Sequence, residues 1–398
     1  MRILCATLPG PGHGHPMLAV GRALATRGHD VTFASGDAHA SEAEEAGLGF
    51  TLLPRVQGSP LHDLRPYDDA AAQAEAMRPL LEALQPDAAV VDVITLGAAL
   101  GADMMGIPYA TLVVHPLHVP SRVLPPFGYG RPPGRMPPLR FRDAWMRANN
   151  RKDLERARTN LNIGRARLGL PPVSGLDVGL SERLVLVATL PSLEIARPDW
   201  PSNAHIVGPC LWEYPGGDFE PPGGDGPLVL VAPSTAYDGD RMLGPALDAV
   251  RRLGVRAVVT PGAAKLPSPL PPGVVVVRGV PHRAIHPHVA AEICNGGHGT
   301  VVRALSAGVP LVVVPGHGDQ QENAYRVERA GAGVQVRFPS PRSIRAALSR
   351  VLSRQSYAAG AQRLAKEAAE IDGPSRAAEL IEEVLGAGER LRGGGPPP

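Results

Sequence analysis

The chain has 398 residues, more than one ordinary domain of roughly 100–200 residues holds, so two compact domains are expected. Hydrophobic residues at 44% and charged residues at 20% exclude disorder over most of its length, and a formal charge of +2 excludes the global basic field of sequence-independent nucleic-acid binding. The 46 glycines and 44 prolines, without a G-X-Y period and beside only 4% aromatics, exclude collagen and indicate many turns between regular elements.

Residues 2–7 (RILCAT) are β-prone and residues 10–16 (GPGHGHP) read as a loop. From Pro16 the apolar positions Met17, Val20 and Leu24 recur at helical spacing, with Gly28 as the C-terminal cap. A strand over 30–35, a short helix near 41–46 and a strand over 49–54 follow. Next come a helix over 71–84, the strand AAVVD (88–92), a helix over 96–105 and a strand over 108–114. This alternation is the signature of a parallel sheet. Residues 115–140, rich in proline and glycine, break it and read as a long functional loop. A charged helix around 142–168 and a strand over 183–189 complete the first half; the nine Arg or Lys against three acids in 131–158 read as a solvated helix face, with contact to an acidic ligand as the alternative.

The turn-forming stretch 213–226 reads as a linker. Alternation then restarts: strand 227–232, helix 240–253, strands 255–260, 273–279 and 289–295, helix 298–307, strand 310–315, and helices beyond 320. The expected organisation is an α/β chain with Rossmann-like domains over 1–212 and 227–372, a C-terminal helix over 373–392 with Pro374 in its first turn, and a disordered tail over 393–398. Cys5, Cys210 and Cys294, odd in number and without a CxxC, fit reduced thiols. No signal-peptide pattern and no run of about 18 apolar residues occurs, so a cytoplasmic protein without a membrane span is expected.

In open α/β sheets ligands bind beyond the C-terminal strand ends. His13 and His15 lie in the loop at that edge, where an imidazole titrating near neutrality can serve as a general base if its tautomer is held. Asp92 ends its strand at the same edge and is the candidate carboxylate partner; helix capping is its alternative role. The segment Asn295, Gly296, Gly297, His298, Gly299, Thr300 follows a strand and opens a helix, an arrangement that offers backbone N–H groups to a phosphate or diphosphate. It lacks the GK[ST] of a P-loop. Ser234 and Thr235 can donate to phosphate oxygens, and Asp319 and Gln320 suit sugar hydroxyls. Asp238 and Asp240 read as a helix cap and first-turn pair; His115, His118, His286 and His288 have no carboxylate or cysteine cluster around them in sequence, so no metal site is expected.

With GHGHP (12–16), GVPHRAI (279–285), NGGHGT (295–300), ALSAGVPLVVVP (304–315), DQQENA (319–324) and GAGV (331–334) in this order, the chain resembles the antibiotic- and macrolide-type glycosyltransferases of the GT-B fold, an inverting natural-product family. The resemblance spans nearly the whole chain. It implies two Rossmann-like domains facing across a cleft, with the C-terminal helix returning to the first. It assigns the catalytic base to His13, supported by Asp92, and donor contacts to Ser234, Thr235, Pro281, His282, the 295–300 loop, Arg303, Asp319 and Gln320. Direct displacement releases nucleotide diphosphate, its charge met by helix N-terminal amides, with no metal or cofactor beyond the TDP- or UDP-sugar co-substrate. The acceptor, an apolar small molecule, would lie against loops 54–70 and 115–140, where Tyr67, Phe127, Tyr129, Phe141 and Trp145 could stack on it. A monomer or homodimer is implied. Two positions depart from the family pattern: Asn295 replaces a diphosphate-binding histidine, and Arg303 stands where many members carry a ribose-binding glutamate. A non-catalytic homologue and a nucleotide-sugar epimerase are the alternatives.

Overall fold

The computed structural model describes residues 1–54, 70–213, 216–234, 242–262, 264–316 and 318–386. Tyr67, Thr235, Asp238, Asp240, linker residues 214–215 and the 393–398 tail lie outside the described residues.

The first half runs β1 (Arg2–Ala6), α1 (Pro11–Thr26), β2 (Asp30–Ser35), α2 (Ala40–Glu45), β3 (Gly49–Leu52), α3 (Ala70–Leu84), β4 (Ala88–Asp92), α4 (Leu96–Met105), β5 (Tyr109–Val113), α5 (Pro137–Arg167), β6 (Leu184–Val187) and β7 (Ala204–Ile206). The second runs β8 (Leu228–Ala232), α6 (Leu243–Leu253), β9 (Arg256–Val259), β10 (Val274–Val276), α7 (His282–Ile285), β11 (Ala291–Cys294), α8 (His298–Ser306), β12 (Leu311–Val313), α9 (Gln320–Arg329), β13 (Gly333–Gln335), α10 (Pro341–Ser353), α11 (Gln355–Ala369) and α12 (Gly373–Leu385).

Each half is one parallel sheet, ordered β3-β2-β1-β4-β5-β6-β7 and β10-β9-β8-β11-β12-β13. Helices cover both faces, which is why β4, β8 and β11 are buried at every position and read as unbroken runs rather than alternating ones. Strand order reverses between β1 and β4 and again between β8 and β11, so each sheet has its ligand crevice beyond those two strand ends. The histidine-rich segment and Asp92 flank the first crevice; Ser234 and the glycine loop flank the second.

Three local expectations are corrected. The helix expected from Pro16 begins at Pro11, so residues 11–16 are its first turns and not a loop. Pro11 lacks an N–H at a position where none is needed. The charged helix α5 begins at Pro137, earlier than expected, again with proline in the first turn. Strands β7 and β13, each three residues long, are not among the expected strands and are stabilised by pairing with β6 and β12.

Helix α12 packs on the first sheet: Ala377, Ala378, Leu380, Ile381 and Leu385 share one core with Ile3, Met17, Leu186 and Trp212. Each large side chain so buried contributes about 1.5–3 kcal/mol. The Asp372 side chain caps the helix by accepting from the Ser375 N–H (3.1 Å). Gly373 lets the chain pass close to residues 208–209, since a Cβ there would stand 2.5 Å from the Pro209 carbonyl oxygen.

Candidate active site

His13 is the third residue of α1, so its side chain leaves the helix at the mouth of the first crevice, 30% exposed. Its Nδ1 lies 2.7 Å from Oδ1 of Asp92, whose side chain is fully buried at the end of β4. The other oxygen of Asp92 accepts from the Thr95 hydroxyl (3.1 Å) and the Ile94 N–H (3.3 Å). Thr95 Oγ1 in turn accepts from the Leu8 N–H at 3.0 Å, tying this chain of contacts back to β1. A carboxylate facing Nδ1 keeps the proton there and leaves the Nε2 lone pair outward, the tautomer a general base requires. Burial pulls the His13 pKa down, but the Asp92 charge and hydrogen bond, with Asp319 adding to them, outweigh it and raise the value above that of an ordinary histidine. Thr95 was not identified from sequence, where it is one threonine before a helix.

His15 points elsewhere: it is buried, and its Nε2 lies 3.3 Å from Glu42 Oε1. The 115–135 loop is held at both ends. Asp199 accepts from the Ser121 hydroxyl and the Arg122 N–H, and Glu194 from the Leu117 N–H. Farther along, Gly130 donates to Glu322 of α9 (3.3 Å) and its carbonyl accepts from Arg337 (3.0 Å). Phe127 clusters with His115 (ring centroids 5.1 Å apart) and His118 (6.2 Å). Burial lowers both histidine pKa values, that of His118 to about 3, so the three rings form a neutral aromatic wall. Tyr129 is 44% exposed on the same loop, whereas Phe141 and Trp145 stand 75% and 61% exposed on α5.

In the second crevice Asn295 ends the buried run of β11, and its Oδ1 accepts from the Gly297 N–H (3.3 Å). Gly296 adopts φ +85°, and a Cβ there would meet Val313 Cγ1 at 2.7 Å, so only glycine fits this turn. Gly297 is the N-cap of α8, which aims the first-turn amides of His298, Gly299 and Thr300 into the crevice. The His298 ring turns inward, with Nδ1 3.1 Å from Asn323 Oδ1 and Nε2 3.2 Å from the Ala188 carbonyl of the first domain. Burial lowers its pKa to about 4; the ring bridges the two halves, and its backbone is the part that faces the crevice. Asp319 accepts from Asn323 Nδ2 (2.9 Å), and Gln320 Oε1 accepts from the Gly316 N–H (2.8 Å), fixing the loop before α9. Pro281 is the N-cap of α7; His282 Nε2 lies 3.1 Å from the Thr260 hydroxyl.

The expectation that His286 stands apart from any carboxylate is corrected. Its Nε2 lies 2.9 Å from Oε2 of the fully buried Glu292, with the His282 ring 5.6 Å away. Glu292 is hidden in sequence because it interrupts an apolar strand 6 residues on, and only the turn at 286–290 brings it back.

Residues 245–384 match the family described as erythromycin biosynthesis protein CIII-like, C-terminal domain. The chain is 34% identical to 4'-demethylrebeccamycin synthase of Lentzea aerocolonigenes, covering 96% of this chain and 99% of that one. It is 30% identical to the vancomycin aglycone glucosyltransferase of Amycolatopsis orientalis over 90% and 92% of the two chains. The glycosyltransferase of kitacinnamycin superposes with a TM-score of 0.77 at 25% identity, covering 96% and 99%.

The chain belongs to the antibiotic natural-product glycosyltransferases of the GT-B fold.

The chain is therefore a natural-product glycosyltransferase. Its unusual Arg303, one turn into α8, is not an open cation. It forms an ion pair with Glu213 of the linker and donates to the Trp212 carbonyl (3.2 Å). Glu213 is also within 3.5 Å of Arg283 Nε. A carboxylate thus stands beside α8 although position 303 itself is basic; the sequence signal for it, an acid 90 residues upstream in a linker, is too weak to read.

Proposed function

We propose that this enzyme moves a sugar, in keeping with the resemblance a deoxysugar, from a TDP- or UDP-sugar to an apolar acceptor by direct displacement with inversion. The observation that carries the reading is the contact of His13 with buried Asp92, at the crevice of one sheet, opposite the glycine loop and helix N-terminus of the other. His13 Nε2 takes the proton of the acceptor's nucleophilic atom as that atom attacks the anomeric carbon. The bond from the anomeric carbon to the β-phosphate oxygen breaks, and nucleotide diphosphate leaves. The N–H groups at the start of α8 meet its charge, so the proposal needs no metal ion or cofactor.

The neutral wall of Phe127, His115 and His118 supports an acceptor with a flat apolar surface, and Tyr129 stands on the same loop. Phe141 and Trp145, exposed on α5, would reach the acceptor only at its outer rim. Glu213, held by Arg303 and Arg283, supplies the carboxylate that accepts from the nucleoside hydroxyls.

The test is His13→Ala with UDP- and TDP-sugars. Turnover should fall by at least about 10²-fold while calorimetric affinity for the nucleotide diphosphate is kept, and unimpaired turnover overturns the base assignment. Inversion is read from the anomeric coupling constant of the product.

A further inference from the structure

Behind the first turn of α1, on the side away from Asp92, lies a cluster of the buried His39 and His15 around the part-buried Glu42. The Gly10 N–H donates to His39 Nε2 (3.2 Å), and His39 Nδ1 lies 2.5 Å from Glu42 Oε2. Glu42 Oε1 faces His15 Nε2 at 3.3 Å. His39 is 3% exposed and packs edge-on against Phe33, with ring centroids 6.1 Å apart. Gly14 lies so close to the His39 ring that a Cβ would overlap it.

A backbone N–H is always a donor, so Nε2 of His39 carries a lone pair and the ring proton sits on Nδ1, facing Glu42. Desolvation raises the Glu42 pKa, but the two imidazole contacts outweigh it and keep the carboxylate ionised. The arrangement therefore has one polarity, from Glu42 through the ring to Gly10. Gly10 is the N-cap of α1 at φ +149°, a conformation only glycine adopts readily. Its carbonyl accepts from the His13 N–H (3.2 Å) and the Gly14 N–H (2.8 Å). One residue, Gly10, is thus held at its N–H by His39 and, through the carbonyl of its following peptide group, holds the backbone of His13.

We propose that His39, oriented by Glu42, is a positioning residue that clamps Gly10 and thereby sets the His13 ring against Asp92 and the acceptor. The inference rests on the reading of His13 as the base. The same three side chains could gather around a divalent cation, but metal on Nδ1 would move the ring proton to Nε2 and set it against the Gly10 N–H.

The experiment compares His39→Phe, which fills the space without an acceptor, with His39→Gln, whose Oε1 reaches the Gly10 N–H. His39→Phe should lower kcat about 10- to 100-fold with an unchanged donor KM, since a small misplacement of a catalytic group costs that much. It should also shift the acid limb of the pH–rate profile downward as the contact with Asp92 loosens. His39→Gln should restore most of the rate and the limb. Hydrogen exchange at residues 10–14 should speed up in the Phe variant and not in the Gln variant. Equal losses in the two variants, or a stoichiometric metal in the purified protein, overturn the clamp. His13→Ala is run alongside: if it keeps turnover, the base reading fails and hydrogen exchange alone decides the clamp, equal exchange in the two variants overturning it.

Discussion

Arg326 of α9 reaches out of the second domain and places Nη1 2.8 Å from Oε2 of Glu194 in the first, both side chains buried. The same guanidinium donates to the Leu193 carbonyl (2.7 Å) and, through Nε, to Glu322 Oε1 (2.9 Å). Glu194 and Glu322 use their remaining oxygens on the Leu117 and Gly130 N–H groups of the long loop. One buried cation therefore joins helix α9 of the second half to the long loop of the first.

Arg326→Met should destabilise the protein by about 3–5 kcal/mol, because it leaves two carboxylates buried without their counter-charge. The acceptor KM should rise more than the donor KM, since the loop loses both anchors. Denaturant unfolding and initial-rate kinetics check this; a stability change below about 1 kcal/mol would show that the network carries little.

Because Asp92 raises the His13 pKa, the rate should climb with pH through a midpoint above that of an ordinary histidine. Asp92→Asn removes the charge, so desolvation then dominates and the midpoint should move down. The amide also no longer enforces the productive tautomer, and the plateau should fall by about 10²–10⁴-fold. A pH–rate profile separates the two effects, and an unchanged plateau would remove Asp92 from the mechanism.

Glu213→Gln should weaken donor binding by about 1.5–3 kcal/mol, the usual worth of a hydrogen bond to a charged group, with kcat changed less. Arg303→Ala should act in the same direction by releasing Glu213. Calorimetry with UDP and TDP is the measurement, and wild-type affinity in both variants would place the nucleoside elsewhere.

Glu382 of α12 accepts a forked pair of hydrogen bonds from Arg27 (2.9 and 2.7 Å) and faces His29 Nε2 at 2.8 Å. The Arg27 bonds push its pKa down to about 2 against some opposing desolvation, with His29 adding to the shift. A carboxylate depressed on folding stabilises above its unfolded value of about 4.3, and this contribution is lost as pH falls toward 2. Glu382→Gln should cost about 0.5–1 kcal/mol at neutral pH, consistent with a part-exposed pair, and its difference from wild type should vanish over that acid window. Unfolding followed by tryptophan fluorescence reads it, Trp212 lying in the same core. A difference that persists to pH 2 would assign the effect to packing.

Much of the fold was legible because both-faces-buried strands are continuous apolar runs: AAVVD and the helix over 96–105 stand in the structure with the boundaries expected of them. His13, Asp92 and the 295–300 loop were legible because each follows or ends such a strand, and a parallel sheet puts all strand C-termini at one edge. The start of α1 was misread because proline and glycine signal loops locally, whereas here they form a helix entry held from behind by His39.

The amino-acid sequence by itself determined the two α/β halves, the sheet edge at which the candidate site residues gather and the residue types offered there, since period and turn chemistry act over a few neighbours. Tertiary structure alone decided which partners those residues have. Glu213 on Arg303, Glu194 on Arg326 and His39 on Gly10 are pairings of single polar residues across loops or whole domains. Such pairings leave no periodic trace. They exist because a buried charge or donor must be matched by whatever the completed fold brings within about 3 Å.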